Sequence, residues 1–92
     1  MARSSRKNDV DRKALATVIK RMRESRGLLV REVAAALEIG DVSQYRRESG
    51  ENGIPAEDVP RYAAVYNVTP DRIYEMMQCM MAASKSPKSM EK

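Results

Sequence analysis

The sequence predicts an all-α domain of five short helices with non-helical ends, and three observations carry that expectation. Apolar residues recur at helical spacing in five separate stretches. Short connectors of Gly, Asn, Asp, Thr and Pro fall between those stretches. The chain has no Phe and no Trp, so Leu, Ile, Val, Ala, Met and four Tyr must fill the core, and most of these favour helix. At 92 residues it suits one domain, near the size at which a single core just suffices.

Residues 1–10 are polar and basic without periodicity, and read as a flexible arm. The first helix should start near Asp11, a good cap, and stop at Gly27. Leu15, Val18, Ile19 and Met22 form its inner stripe. The second runs from about Val30 to Leu37 with Val33, Ala34 and Leu37 inside, and its three alanines permit close backbone approach. Gly40-Asp41 reads as a turn, with Asp41 capping a third helix from Val42 to about Ser49. Pro60 cannot lie deep in a helix, so the fourth begins near Glu57 or Asp58. It buries Val59, Tyr62, Ala63 and Tyr66 and ends at Asn67. Thr69-Pro70 opens a fifth helix that carries Ile73, Met76, Met77, Met80 and Met81 to about Ala83. Residues 84–92, rich in Ser and Lys, read as a disordered tail, so the folded domain is residues 11–83.

Enzyme chemistry is poorly served. There is no His, which removes the commonest general base and metal ligand. The lone Cys79 cannot form an internal disulfide or a zinc site, and reads as a packing residue among methionines. No Gly-rich phosphate loop is present, and neither metal nor cofactor is expected. Without a membrane-length apolar run or a secretory signal, the chain is expected in the cytoplasm.

Charge is unevenly distributed. Residues 1–47 hold twelve Lys/Arg against six Asp/Glu, a net of +6, whereas residues 48–92 hold five against seven, a net of −2. A one-sided basic footprint is what phosphate neutralisation needs.

Several segments, in order, resemble the lambda-repressor/Cro-like (XRE) helix-turn-helix DNA-binding family. They are Ile19-Lys20-Arg21-Met22-Arg23-Glu24-Ser25-Arg26-Gly27, then Val33-Ala34, then Val42-Ser43-Gln44-Tyr45. Ile54-Pro55, Asn67-Val68 and Thr69-Pro70-Asp71 complete the match, which covers roughly residues 15–77. The resemblance implies a five-helix lambda-repressor-like domain whose third helix enters the major groove. Two registers compete for that helix. A gapped one places Val42 and Tyr45 inside. An ungapped one puts Glu48 and Gly50 on the family's Glu-x-Gly but buries Gln44 and Arg47. Because an unpaired buried guanidinium is very costly, the gapped register is preferred. Arg46 then takes the usual Glu position, and Arg23 needs another partner, with Glu48 the candidate. The family's polar helix 2 cap and turn Gly are replaced by Leu29 and Glu38.

In this register Ser43, Gln44, Arg46 and Arg47 are the expected base readers, with Gln44 suited to adenine and Arg to guanine. Lys20, Arg23, Arg31 and Asn52 are phosphate candidates, and Arg3, Arg6 and Lys7 form a minor-groove arm. One such domain touches few base pairs, so a homodimer on double-stranded DNA is expected, with Met76, Met77, Met80 and Met81 as its interface. The expected function is a dimeric repressor of bacterial, phage or plasmid origin. Two alternatives stay open: a helix-turn-helix scaffold that binds and inhibits another protein (an anti-regulator or antitoxin), and a non-specific DNA-coating protein. The Leu28-Leu29-Val30 run would serve the first as an apolar patch.

Overall fold

The computed structural model describes the backbone of residues 2–85 and side chains from Arg12 to Ala82. Five α-helices follow in order: α1 (Ala2–Ser25), α2 (Val30–Leu37), α3 (Asp41–Ser49), α4 (Val59–Tyr66) and α5 (Pro70–Lys85), with a 3-10 turn at Ala56–Asp58 leading into α4. No strand occurs among the described residues. The expected all-α, five-helix architecture is the one observed.

The long α1 is the spine, and α3, α4 and α5 all pack against it. Its stripe of Leu15, Val18, Ile19 and Met22 meets Val33 and Leu37 of α2, Val59, Tyr62, Ala63 and Tyr66 of α4, and Ile73 of α5 in one core. Two tyrosines supply the bulk that Phe and Trp would otherwise give. Both rings are almost fully buried, with centroids 6.1 Å apart. The Tyr66 hydroxyl donates to the Ile19 carbonyl at 3.1 Å, which ties α4 to the middle of α1. Ala34 is buried as expected for a close helix crossing, but Ala35 and Ala36 face outward.

Three helices end in the same way. Gly27, Glu38 and Asn67 all take left-handed φ values, 66°, 62° and 61°. The next amide in each case reaches back to a carbonyl five residues earlier: Leu28 to Arg23, Ile39 to Ala34, Val68 to Ala63. This satisfies orphan carbonyls, and each following apolar residue then packs on the core. Asn tolerates the left-handed region, but Glu does so only with strain. Glu38→Gly is therefore expected to raise stability by about 0.5–1 kcal/mol, read as a shift in urea midpoint at unchanged slope. A loss of stability would show that the Glu38 side chain contributes more than its backbone strain removes.

At its N-terminus α1 departs from expectation. It begins at Ala2, not near Asp11, so the segment expected as a flexible arm has a helical backbone. Ala2, Arg3, Arg6 and Lys7 are good helix formers, and extending a formed helix avoids the unfavourable nucleation step. Asp11 accordingly lies within the helix and does not cap it. At the other end α5 continues to Lys85, two residues past the expected stop, and the rest of the expected tail lies outside the described residues. Helix α5 begins as read: the Thr69 hydroxyl accepts from the Arg72 amide at 3.2 Å, and Pro70 is the first helical residue.

Candidate nucleic-acid interface

Helices α2 and α3 are joined by only Glu38, Ile39 and Gly40. The left-handed Glu38 reverses the chain, Ile39 anchors the turn on the core, and Gly40 leads into α3 with its carbonyl accepting from the Gln44 amide at 3.1 Å. Asp41 sits in the first turn of α3, where its charge favours the helix dipole. At the far end Gly50 has φ 84°, and a Cβ there would lie 3.3 Å from the Lys13 side chain, so α3 closes tightly against α1.

The inner face of α3 is polar. Gln44 is fully buried and Glu48 nearly so, while Arg47 is half-buried. Glu48 receives a fork from Arg23, with Nε at 2.8 Å from Oε2 and Nη2 at 3.0 Å from Oε1. Arg23 also donates to the Leu28 carbonyl at 2.9 Å. The Gln44 amide donates to Glu48 at 2.9 Å, and its oxygen accepts from the Tyr62 hydroxyl. Arg47 donates from Nη1 to Asp58 at 2.9 Å and to Tyr62 Oη at 3.2 Å. The result is one chain of hydrogen bonds from the end of α1, through α3, to the 3-10 turn and α4. Among the described residues no buried side-chain nitrogen or oxygen lacks a partner.

This overturns the expected register. Val42 and Tyr45, read as inner residues, are each 59% exposed, and Gln44 and Arg47, read as base readers, point into the fold. The premise that failed was that Arg47 would be buried unpaired: Asp58 and Tyr62 supply its counter-charge and acceptor. Gln44 and Arg47 are therefore not available to base edges. Arg23 is likewise removed from the phosphate set, because its guanidinium is spent on Glu48 and the Leu28 carbonyl. The expected Arg23–Glu48 pair is present.

The network controls ionisation. The hydrogen bond to Glu48 raises the Arg23 pKa. Burial opposes the charge on Arg47, but hydrogen bonds to Tyr62 and Asp58 outweigh it and raise its pKa too. Burial pushes the Tyr62 and Tyr66 phenols above their ordinary value. A phenol whose folded pKa exceeds its unfolded pKa, about 10, releases its proton more readily in the unfolded chain. Its stabilising contribution is thus complete below pH ~10 and is lost as pH rises toward the folded value. Stability should fall steeply above about pH 10, with the tyrosinate absorbance of the two buried residues, Tyr62 and Tyr66, appearing together with loss of helical circular dichroism. Ionisation of all four tyrosines before any helix is lost would contradict this.

The outer face of α3 presents Asp41, Val42, Tyr45, Arg46 and Ser49. Residues 14–76 match the model of a helix-turn-helix domain family. The chain belongs to that helix-turn-helix family. No curated protein matches it. Its fold resembles two crystal structures of the clp gene regulator ClgR from Corynebacterium glutamicum. The first has a TM-score of 0.79 at 17% identity over 88% of this chain and 86% of the other, and the second 0.73 at 19% over 78% and 94%.

Within this helix-turn-helix domain the other expected residues are placed as follows. Arg46 is exposed and its side chain pairs with nothing among the described residues, whereas Ser43 is half-buried. Lys20, Arg31 and Asn52 are exposed. For Arg3, Arg6 and Lys7 the backbone is helical and the side chains lie outside the described set. Met76, Met77 and Met80 are partly buried against the core, and Met81 is partly buried outside that cluster. Cys79 is exposed and does not pack, because the inward side of α5 is taken by Ile73, Met76, Met77 and Met80.

Sequence reasoning missed the cleft of about 230 Å³ lined by Leu29, Val30, Arg31, Asp41 and Tyr45, where the start of α2 meets α3. Leu29 offers no side-chain oxygen to cap α2, but Glu32 accepts its amide at 2.8 Å, which supplies half of a capping box. The available signal was the Glu48-x-Gly50 spacing of the ungapped register, which turns Tyr45 outward. Among the described residues no cluster of acidic or Cys side chains could hold a metal ion, and no helix is long and apolar enough to cross a membrane.

Proposed function

We propose that this protein is a DNA-binding transcriptional regulator of the lambda-repressor/Cro-like (XRE) kind, which inserts α3 in the major groove and represses as a homodimer. The observation that carries the reading is the α2–α3 unit itself. A three-residue turn and a buried polar network hold α3 so that one face, with Arg46 on it, projects from the fold uncovered. Arg31, exposed in the first turn of α2, is positioned beside that face at the shared cleft and suits a phosphate. Lys20 and Asn52 remain phosphate candidates, and Arg3, Arg6 and Lys7 add to the basic first half of the chain. Dimerisation through α5, with Met76, Met77, Met80 and Met81 only partly covered by their own chain, would double the site read. A small dimer seated on a promoter represses by occupying it.

The test is a titration against DNA upstream of the gene for this protein, with scrambled competitor, at two salt concentrations. The expected result is a shift that survives competitor and weakens as salt rises. Sequence-insensitive binding would make it a coating protein, and absence of binding at low salt would remove the reading altogether.

A second reading, a scaffold that binds and inhibits another protein, is favoured by one observation. Leu29, Val42 and Tyr45 are about half exposed or more along the same side of the α2–α3 unit. Recovery of one stoichiometric partner by the purified chain, with no DNA shift, would support it.

A further inference from the structure

The projecting face of α3 carries two large hydrophobic side chains among its polar ones. Val42 and Tyr45, three residues apart and so on one face, are each 59% exposed. Leu29, at the start of α2, is 49% exposed and shares a cleft with Tyr45. Gln44, the one amide side chain on α3, is held by Glu48 and Tyr62. Ser49 is turned to its own helix, donating to the Arg46 carbonyl at 3.0 Å. The face therefore has little with which to read a base edge by hydrogen bonds beyond Arg46, Asp41, the Tyr45 hydroxyl and the half-buried Ser43.

Base edges in the major groove carry one apolar group, the 5-methyl of thymine. We propose that this chain reads thymine through that methyl, with Val42 as its contact, Tyr45 extending the apolar surface toward the neighbouring step, and Arg46 fixing the register on a guanine. The inference rests on the DNA-binding reading above. Arg46 lies four residues after Val42, one helical turn further along the same face, so the two reach different base pairs. The geometry also accounts for the absence of a water-seeking side chain at position 42. An exposed Val loses nothing by leaving water for a methyl group, whereas facing the amino group of cytosine it would leave a donor unpaired.

The experiment begins with duplexes selected by the full chain from a random library at fixed salt. The selected duplex is then synthesised with deoxyuridine replacing thymidine one position at a time, which removes only the methyl. At one thymine, affinity of the native protein should fall about fourfold, the worth of one buried methyl group. Val42→Ala, a change at an exposed site that leaves the core intact, should bind the thymine and uracil duplexes equally. Specific binding that ignores uracil at every position would overturn the inference and leave the DNA reading standing. So would a Val42→Ala protein that keeps the full thymine preference. Failure to enrich any duplex would overturn both and leave the apolar face to a protein partner.

Discussion

Replacing Glu48 with alanine is expected to remove about 3–5 kcal/mol of stability, a large fraction of the roughly 5–15 kcal/mol such a domain holds. The carboxylate is the junction of the α3 network. It accepts two hydrogen bonds from Arg23 and one from Gln44, with only 5% of its side chain exposed and 13% of that of Arg23. Alanine leaves the Arg23 guanidinium with only the Leu28 carbonyl and the more distant, exposed Glu24 carboxylate at 3.9 Å, and the Gln44 amide with no partner. Breaking one side of such a pair is costly because the other charge stays buried. Removing both is different. The double variant Arg23→Met/Glu48→Leu, which replaces charge by apolar volume, should be markedly more stable than Glu48→Ala alone. Urea unfolding followed by circular dichroism checks both, and Glu48→Ala within about 1 kcal/mol of the parent would show that water enters and solvates Arg23. The network's role is then one of register: apolar residues at these positions would bind α3 to α1 with less angular definition, whereas forked hydrogen bonds fix which side faces out.

That distinction explains what a reader of the sequence sees and what stays hidden. The helices follow from apolar spacing and from turn residues such as Gly27, Asn67 and Thr69-Pro70, all of which act on near neighbours. The inner stripes of α1, α2 and α4 are apolar, so burial and periodicity agree. On α3 they disagree. Gln44 and Arg47 are polar, and their partners Tyr62 and Asp58 lie 18 and 11 residues away in the chain. A local rule counts an Arg with no visible partner as surface, and tertiary structure supplies the partner. The one sequence feature that pointed to the true register was Glu48-x-Gly50 at family spacing, because Glu48 meets Arg23 across 25 residues. Likewise the N-terminal part of α1 has no apolar stripe, and its helical backbone follows from propensity and continuity with what precedes the core. The outer face of α3, and with it the candidate contact residues, is readable only once the inner face is known.

Adjacent arginines on α3 should therefore give opposite phenotypes. Arg46→Ala is expected to leave stability within about 0.5 kcal/mol of the parent, since the side chain is exposed and makes no pairing among the described residues. Its effect should be on DNA: affinity for the selected site falls by about 1–3 kcal/mol, roughly 5-fold to 150-fold, and discrimination at one base pair relaxes. Arg47→Ala is expected to do the reverse. It removes the hydrogen bond to Asp58 and the one to Tyr62, at a site where the two charged side chains are 12% and 14% exposed, and should cost about 2 kcal/mol of stability. Arg61, 3.9 Å from the other Asp58 oxygen, softens that loss because the carboxylate keeps a cation nearby. At temperatures where the Arg47→Ala protein is fully folded, its preference among bases should match that of the parent. Unfolding curves and competition binding, run on both variants, separate the two roles. If Arg47→Ala were the variant that lost base preference while keeping its stability, α3 would sit turned in solution, with Val42 and Tyr45 inside. The exposed apolar face would then vanish along with the thymine contact argued from it. If Arg46→Ala bound the selected site as the parent does, with discrimination intact, the outer face of α3 would not be the reading surface, whatever the strength of the phosphate contacts around it.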